Sequence, residues 1–228
     1  MGISPVIIVL ASLVLQTEGQ AQEAPGSFAV GVSLFELRQS AEAGDADAQH
    51  KLGNAYFAGI ELKRDYAEAA KWYRKAAEQG KAASQYYLGS IHSAGQIPLP
   101  DYSEAAKWLF RSAQQGYRPA FHGVGILYEK GRGVQQSDME AVNWFRRAAD
   151  FGYVGGQYKM ARAYESGRGV PQDLAEAYFW WSLAISGASG DEKKSFIQER
   201  KKVADQMTAV QVKEAQGRVR VWKKARGS

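Results

Sequence analysis

The chain copies itself at a step of 36 residues. A fixed period of roughly 20–50 residues limits a fold more strongly than any local signal, because each copy becomes one stacking unit. "YEKGRGVQQSDMEA" (Tyr128 to Ala141) returns as "YESGRGVPQDLAEA" (Tyr164 to Ala177). The same step relates Trp72, Trp108, Trp144 and Trp180, then Gly59, Gly95, Gly131 and Gly167, then Glu68, Glu104, Glu140 and Glu176. Four units therefore start at Gly44, Gly80, Gly116 and Gly152.

Each unit reads as two amphipathic helices joined by a glycine-containing loop. In the first helix Ala48, Leu52 and Tyr56 recur at i, i+4 and i+8, one stripe of a helix with about 3.6 residues per turn. The later units place Ser84, Leu88 and His92, then Ala120, Val124 and Tyr128, then Gly156, Met160 and Tyr164 on that stripe. The second helix opens on Asp65-x-x-Glu68, Asp101-x-x-Glu104, Ser137-x-x-Glu140 or Asp173-x-x-Glu176, the spacing of a reciprocal capping box. Its predicted buried stripe is Ala69, Trp72 and Ala76 with their equivalents, which gives Trp72, Trp108, Trp144 and Trp180 a structural role.

Gly131 and Gly133, like Gly167 and Gly169, are predicted to adopt φ > 0 so that one helix stops and the chain reverses into the next, with Val134 and Val170 plugging the turn. The first two units read "GIELKRD" and "GQIPLPD" here, without the second glycine. Differently shaped loops are expected there, one of them stiffened by Pro98 and Pro100. The glycines do not build a phosphate cradle, because neither Gly-x-x-x-x-Gly-Lys-Ser/Thr nor a third glycine after a strand occurs.

Gly, Ala-Gln, Leu-Gly, Tyr, Gly-x-Gly-Val, Asp, Ala, Trp and Ala-Ala, in that order, resemble the Sel-one-like repeat (SLR) family, relatives of the tetratricopeptide repeats. The resemblance covers Gly44 to about Ala188. It implies an all-α, right-handed α-solenoid of helix-turn-helix repeats, residues 44–188, whose members mostly serve as adaptors for protein partners. Some cysteine-rich members are linked to β-lactam binding or hydrolysis, which makes a hydrolase a remote alternative. This chain has no cysteine and no Ser-x-x-Lys nucleophile motif.

The repeat array needs closed ends. Residues 22–43 read as an N-terminal half-repeat, with Ser40 and Ala41 matching Ala76 and Ala77 and Glu36 standing where tryptophan would be. Residues 189–228 read as two capping helices, the second starting at the Thr208-x-x-Gln211 box with an apolar stripe of Val212, Ala215, Val219 and Trp222. Residues 1–21 read as a signal peptide: an apolar run from Ile3 to Leu15 precedes the small-x-small site Gly19-Gln20-Ala21. A retained anchor is the alternative, since the n-region has no Lys or Arg, but the run is short against the roughly 20 residues a span requires. The expected location is periplasmic or secreted, after export across a bacterial inner membrane.

Charge is uneven. Residues 191–228 hold 11 Lys/Arg against 5 Asp/Glu, so the basic excess sits in the cap. Lys213, Arg218, Arg220, Lys223, Lys224 and Arg226 could meet an anionic envelope polymer such as a polysaccharide, or a membrane surface. The bland reading is a solvated face with cations near a helix C-terminus. No nucleic-acid partner is expected.

No catalytic constellation is visible. His50, His92 and His122 include no i, i+4 pair, and metalloprotease, nucleophile-elbow and calcium-loop spacings are absent. No metal or cofactor is expected, and the recurring Asp/Glu pairs are explained by capping. The surface best suited to a partner is the inner wall of the solenoid. At about 100° per residue, offsets 3, 6, 10 and 13 from each starting glycine lie opposite the core stripe. Offset 6 is His50, Tyr86, His122 and Tyr158, flanked by Asn54, Ser90, Ile126 and Arg162 and by Phe57, Ser93, Glu129 and Glu165. The leading expectation is a non-catalytic adaptor that holds a protein or peptide in this concave groove. The alternative use of the same rings is packing against the next repeat.

Overall fold

The computed structural model describes residues 33–226; the predicted signal segment lies outside them. The described residues form eleven helices and no strand. These are α1 (Leu34–Glu42), α2 (Ala46–Ala58), α3 (Tyr66–Glu78), α4 (Ala82–Ala94), α5 (Tyr102–Gln114), α6 (Arg118–Lys130), α7 (Asp138–Asp150), α8 (Val154–Ser166), α9 (Leu174–Gly187), α10 (Gly190–Ala204) and α11 (Ala209–Ala225). Two compact units divide the chain after Ala120, within α6. In the first, α1 to α5 pack in chain order; in the second, α7 packs on α8, α8 on α9, and α9 carries both α10 and α11.

The expected tryptophan stripe needs correction. Trp108 and Trp180 are buried, but Trp72 and Trp144 are only half-buried. The position buried in every repeat is the next residue along, Tyr73 and Leu109 in the first unit and Phe145 and Trp181 in the second, at 0%, 0%, 3% and 0% exposure, and Leu37 of α1 holds the same place. Trp72 lies on the flank of its helix, where the Lys75 ammonium stands 4.1 Å from its ring centroid. Glycine in the first helix makes room for this side chain. A Cβ on Gly53 would lie 2.6 Å from Tyr73, one on Gly89 2.7 Å from Leu109, and one on Gly125 2.4 Å from Phe145. The repeated pair of an aliphatic residue and glycine, Leu52-Gly53, Leu88-Gly89 and Val124-Gly125, is therefore a packing device, one residue filling the core and the next admitting its partner's side chain.

The capping boxes are half-built. Asp65, Asp101 and Asp173 accept from two backbone N–H groups of the first turn, and Ser137 from one. The returning bond from the glutamate is absent because its donor is already used. The N–H groups of Asp65, Ser137 and Asp173 donate to the carbonyls of Tyr56, Tyr128 and Tyr164 at 2.9–3.0 Å, and that of Asp101 to His92 Nδ1 at 3.1 Å. Those bonds close each loop. The freed glutamates work elsewhere: Glu104 accepts from Trp108 Nε1 at 2.6 Å and pairs with Arg74 at 2.9 Å. Full boxes close α1 (Ser33, Glu36) and α11 (Thr208, Gln211).

Gly131, Gly133, Gly167 and Gly169 all have φ between 63° and 77°, as expected. In the first unit's loop the same conformation persists without glycine, since Glu61 has φ 56° at the position of Gly133. Left-handed backbone costs a residue with Cβ about 1–2 kcal/mol, so Glu61→Gly is expected to raise stability by about 1 kcal/mol in chemical denaturation. Gly169 carries a second constraint. A Cβ there would lie 2.4 Å from the Asp138 carbonyl oxygen, so this loop sits directly on the start of α7. Gly169→Val is expected to cost about 2–4 kcal/mol from strain and overpacking together, against about 1–2 kcal/mol for Gly167→Val; equal melting temperatures would refute the seating.

Candidate partner-binding cleft

The ring column does not face a groove. His50, Tyr86 and His122 are 9%, 5% and 8% exposed, which corrects the expectation that they line a free wall. Offset 6 does lie opposite the core stripe of its own helix, but the start of the following first helix closes over it. Tyr86 meets the Tyr117 ring at 5.4 Å, and His122 meets Tyr153 at 5.4 Å and Phe145 at 5.5 Å. His50 Nδ1 bonds Ser84 Oγ of the next repeat at 2.8 Å, and its Nε2 meets the Asn54 amide at 3.3 Å. The Asn54 carbonyl in turn accepts from the Tyr73 hydroxyl at 2.7 Å. Burial holds both His50 and His122 neutral, with pKa values pushed down to about 3.

The flanking candidates fare differently. Asn54, Phe57, Ser90 and Ile126 are half-buried; Phe57 is packed edge-on against Tyr66 and Tyr87. Tyr158 is half-buried, stacked on Phe196 at 5.5 Å and edge-on to Trp181 at 5.6 Å. Arg162 is exposed.

Tyr158 and Arg162 border a cleft of about 260 Å³ in the second unit. Its walls are the end of α6 (Glu129), the start of α7 (Asp138, Val142, Phe145), the outer side of α8 (Lys159, Ser166) and Arg168 from the loop that follows. Two ion pairs cross it. Lys159 Nζ reaches both Glu129 oxygens, at 2.9 and 2.7 Å, with each side chain 21% exposed. Arg168 meets Asp138 at 2.9 Å, brought there by the close approach of Gly169 to the α7 backbone. Arg162 is the least committed cation, 52% exposed and 3.4 Å from Glu165. Exposed pairs of that kind contribute little, so its guanidinium is available for exchange.

The charged lining of the cleft is not repeated two repeats earlier. Counting back 72 residues, Glu129, Lys159, Asp138 and Arg162 correspond to Phe57, Tyr87, Tyr66 and Ser90. There Phe57 and Tyr87 meet at 5.7 Å where the second unit has an ion pair. Lys159, Asp138, Ser166 and Arg168 were not anticipated. The sequence signal that marks them is opposite charge 30 residues apart, as in Glu129 and Lys159, Asp138 and Arg168, and Arg74 and Glu104.

In the cap, Arg218 is committed to Glu176 and lies 5.0 Å from the Phe179 ring centroid. Arg226 stands over Trp222 at 4.1 Å and Lys223 is half-buried. Lys213, Arg220 and Lys224 are exposed.

Comparison with known proteins finds four Sel1 repeats, at residues 46–81, 82–117, 121–153 and 154–189. A solved structure of c5321, described as a protective antigen present in uropathogenic Escherichia coli strains and displaying an SLR fold, is 39% identical. That match has a TM-score of 0.62 and covers 70% of this chain and 34% of the other. A Sel1 repeat protein from Oxalobacter formigenes is 31% identical, also at a TM-score of 0.62, over 71% of this chain and 66% of that one. The secretory immunoglobulin A-binding protein EsiB of Escherichia coli O6:H1 is 46% identical over 44 residues, which are 19% of this chain and 9% of EsiB. The chain thus spans less than two thirds of each of these relatives. The expected fold class, an all-α solenoid of helix-turn-helix repeats, is the one these structures share.

Proposed function

The chain belongs to the Sel1-repeat family, and on that premise we propose that it is a non-catalytic, exported adaptor that binds a protein or peptide partner and serves a cell-envelope process. The observation that carries this reading is the second unit's cleft, where apolar walls from Val142 and Phe145 meet charged and hydroxyl groups from α6, α8 and the following loop. Concave sites that mix apolar lining with a few placed polar groups suit extended chains, whose backbone and side chains need both. A relative named for binding secretory immunoglobulin A supports a protein as the class of partner. The apolar run before Ala21 supports export, with processing after that residue.

The test is affinity capture from envelope extract with the mature chain and mass-spectrometric identification. Arg162→Glu and Ser166→Trp, both at exposed positions, are expected to leave melting unchanged while lowering capture of the partner at least about tenfold, or 1.4 kcal/mol. If both variants retain the partner at the wild-type level, the cleft is not where it binds.

A further inference from the structure

Helix α11 turns its apolar stripe inward. Ala215 is buried, and Val212, Val219 and Trp222 pack against the second unit's core. Its opposite side is unusual for a solvated helix because Val210 and Val221 are 66% and 71% exposed there. At about 100° per residue these valines lie within about 20° of one another on the helix surface. Lys213, Arg220 and Lys224 run beside them, so the five residues fill an arc of only about 100°. No carboxylate among the described residues pairs with these three cations, whereas Arg218, on the flank, is tied to Glu176. The one acidic residue near the arc, Glu214, falls on the side of the valines away from the cations. The neighbouring cap helix repeats the combination: Ile197 of α10 is 42% exposed and is spaced i+4 from Lys193 and i−4 from Lys201.

From this arrangement we infer that α11 lays its outer arc on the anionic surface of a lipid bilayer, as a peripheral contact that holds the adaptor at a membrane. Cations alone would fit any polyanion. The two valines decide between them, because a polysaccharide in water offers nothing that rewards exposed apolar side chains, whereas the boundary between headgroups and acyl chains does. Each cation near an anionic leaflet strengthens binding about fivefold, and salt screens that gain. The contact is of the interfacial kind: among the described residues no helix is long and apolar enough to cross a membrane.

The experiment uses the full chain and sedimented vesicles, either phosphatidylcholine alone or an equal mixture with phosphatidylglycerol. Partitioning onto phosphatidylcholine measures what the N-terminal apolar run contributes, and the increment on the anionic vesicles measures α11. That increment is expected to be at least about tenfold in 50 mM salt and to vanish in 500 mM. The triple variant Lys213→Gln, Arg220→Gln, Lys224→Gln should abolish it, and Val210→Ser with Val221→Ser should reduce it about threefold or more. Arg220→Glu alone should lower it about fivefold or more, so the result does not depend on the triple variant folding. No increment in the wild type, or an unchanged increment in the charge variants, overturns the inference. Indifference to the valine variants, together with release of the protein by soluble polygalacturonate, overturns it in favour of an anionic polysaccharide.

Discussion

Trp108→Ala is expected to destabilise the protein by about 3–5 kcal/mol, and Trp72→Ala by about 1–2 kcal/mol. The two tryptophans occupy one repeat position, so sequence alone assigns them equal weight. Trp108 is 2% exposed and its indole N–H donates to Glu104 at 2.6 Å. Truncation there leaves a large void and removes the donor of a half-buried carboxylate that also pairs with Arg74. Trp72 is half-buried with an ammonium over its face, and water can occupy much of the space its removal opens. Urea melts of the two variants decide the matter: equal losses would mean that the repeat position, rather than the local seam, sets the contribution.

Acid is expected to destabilise the protein steeply from about pH 6.5 downward, before most of its carboxylates are titrated. In the unfolded chain a histidine takes up a proton near pH 6.5, whereas buried His50 and His122 resist protonation down to about pH 3. Both forms are neutral above about pH 7, so the histidines add no pH dependence there. Between about pH 6.5 and 3 the unfolded state binds more protons, and stability falls with decreasing pH by about 1.4 kcal/mol per unit for each histidine. At pH 5 the loss is roughly 2 kcal/mol apiece. The dominant cause is burial, reinforced at His50 by Lys81 and Lys51 and offset in part by Asp47, and reinforced at His122 by Lys159. The seam position supplies the mechanism: a charged His50 would be confined between Ser84, Asn54 and the Tyr73 and Tyr87 rings. Denaturant titrations from pH 7 to 4 should show this slope, and His122→Leu should remove a substantial part of it, with His50 and His92, whose pKa burial also lowers, supplying the rest. A slope unchanged by that substitution would show that other groups set the acid limit.

The period of 36, the pairing of helices within each unit, the aspartate N-caps and the left-handed glycines of the third and fourth loops were all legible in the residues. Each depends on backbone conformation or on contacts within one helix pair, which a local stretch of sequence specifies. Even the half-built capping boxes are a local matter, once the loop-closing bond to the preceding tyrosine carbonyl, or to His92 in the second repeat, is counted.

What the residues could not state is which side of a first helix stays free, because that depends on neighbours brought up by stacking. Offset 6 lies opposite its own helix's core, yet stacking buries three of its four rings against the next repeat. The proposed surface lies instead along the cleft of the second unit, so Tyr158 and Arg162 remain candidates while Lys159, Asp138 and Arg168 join them. Local sequence sets a side chain's direction around its helix axis; only the lateral packing of one repeat on the next decides whether that direction ends in solvent, in a ring or in an opposite charge.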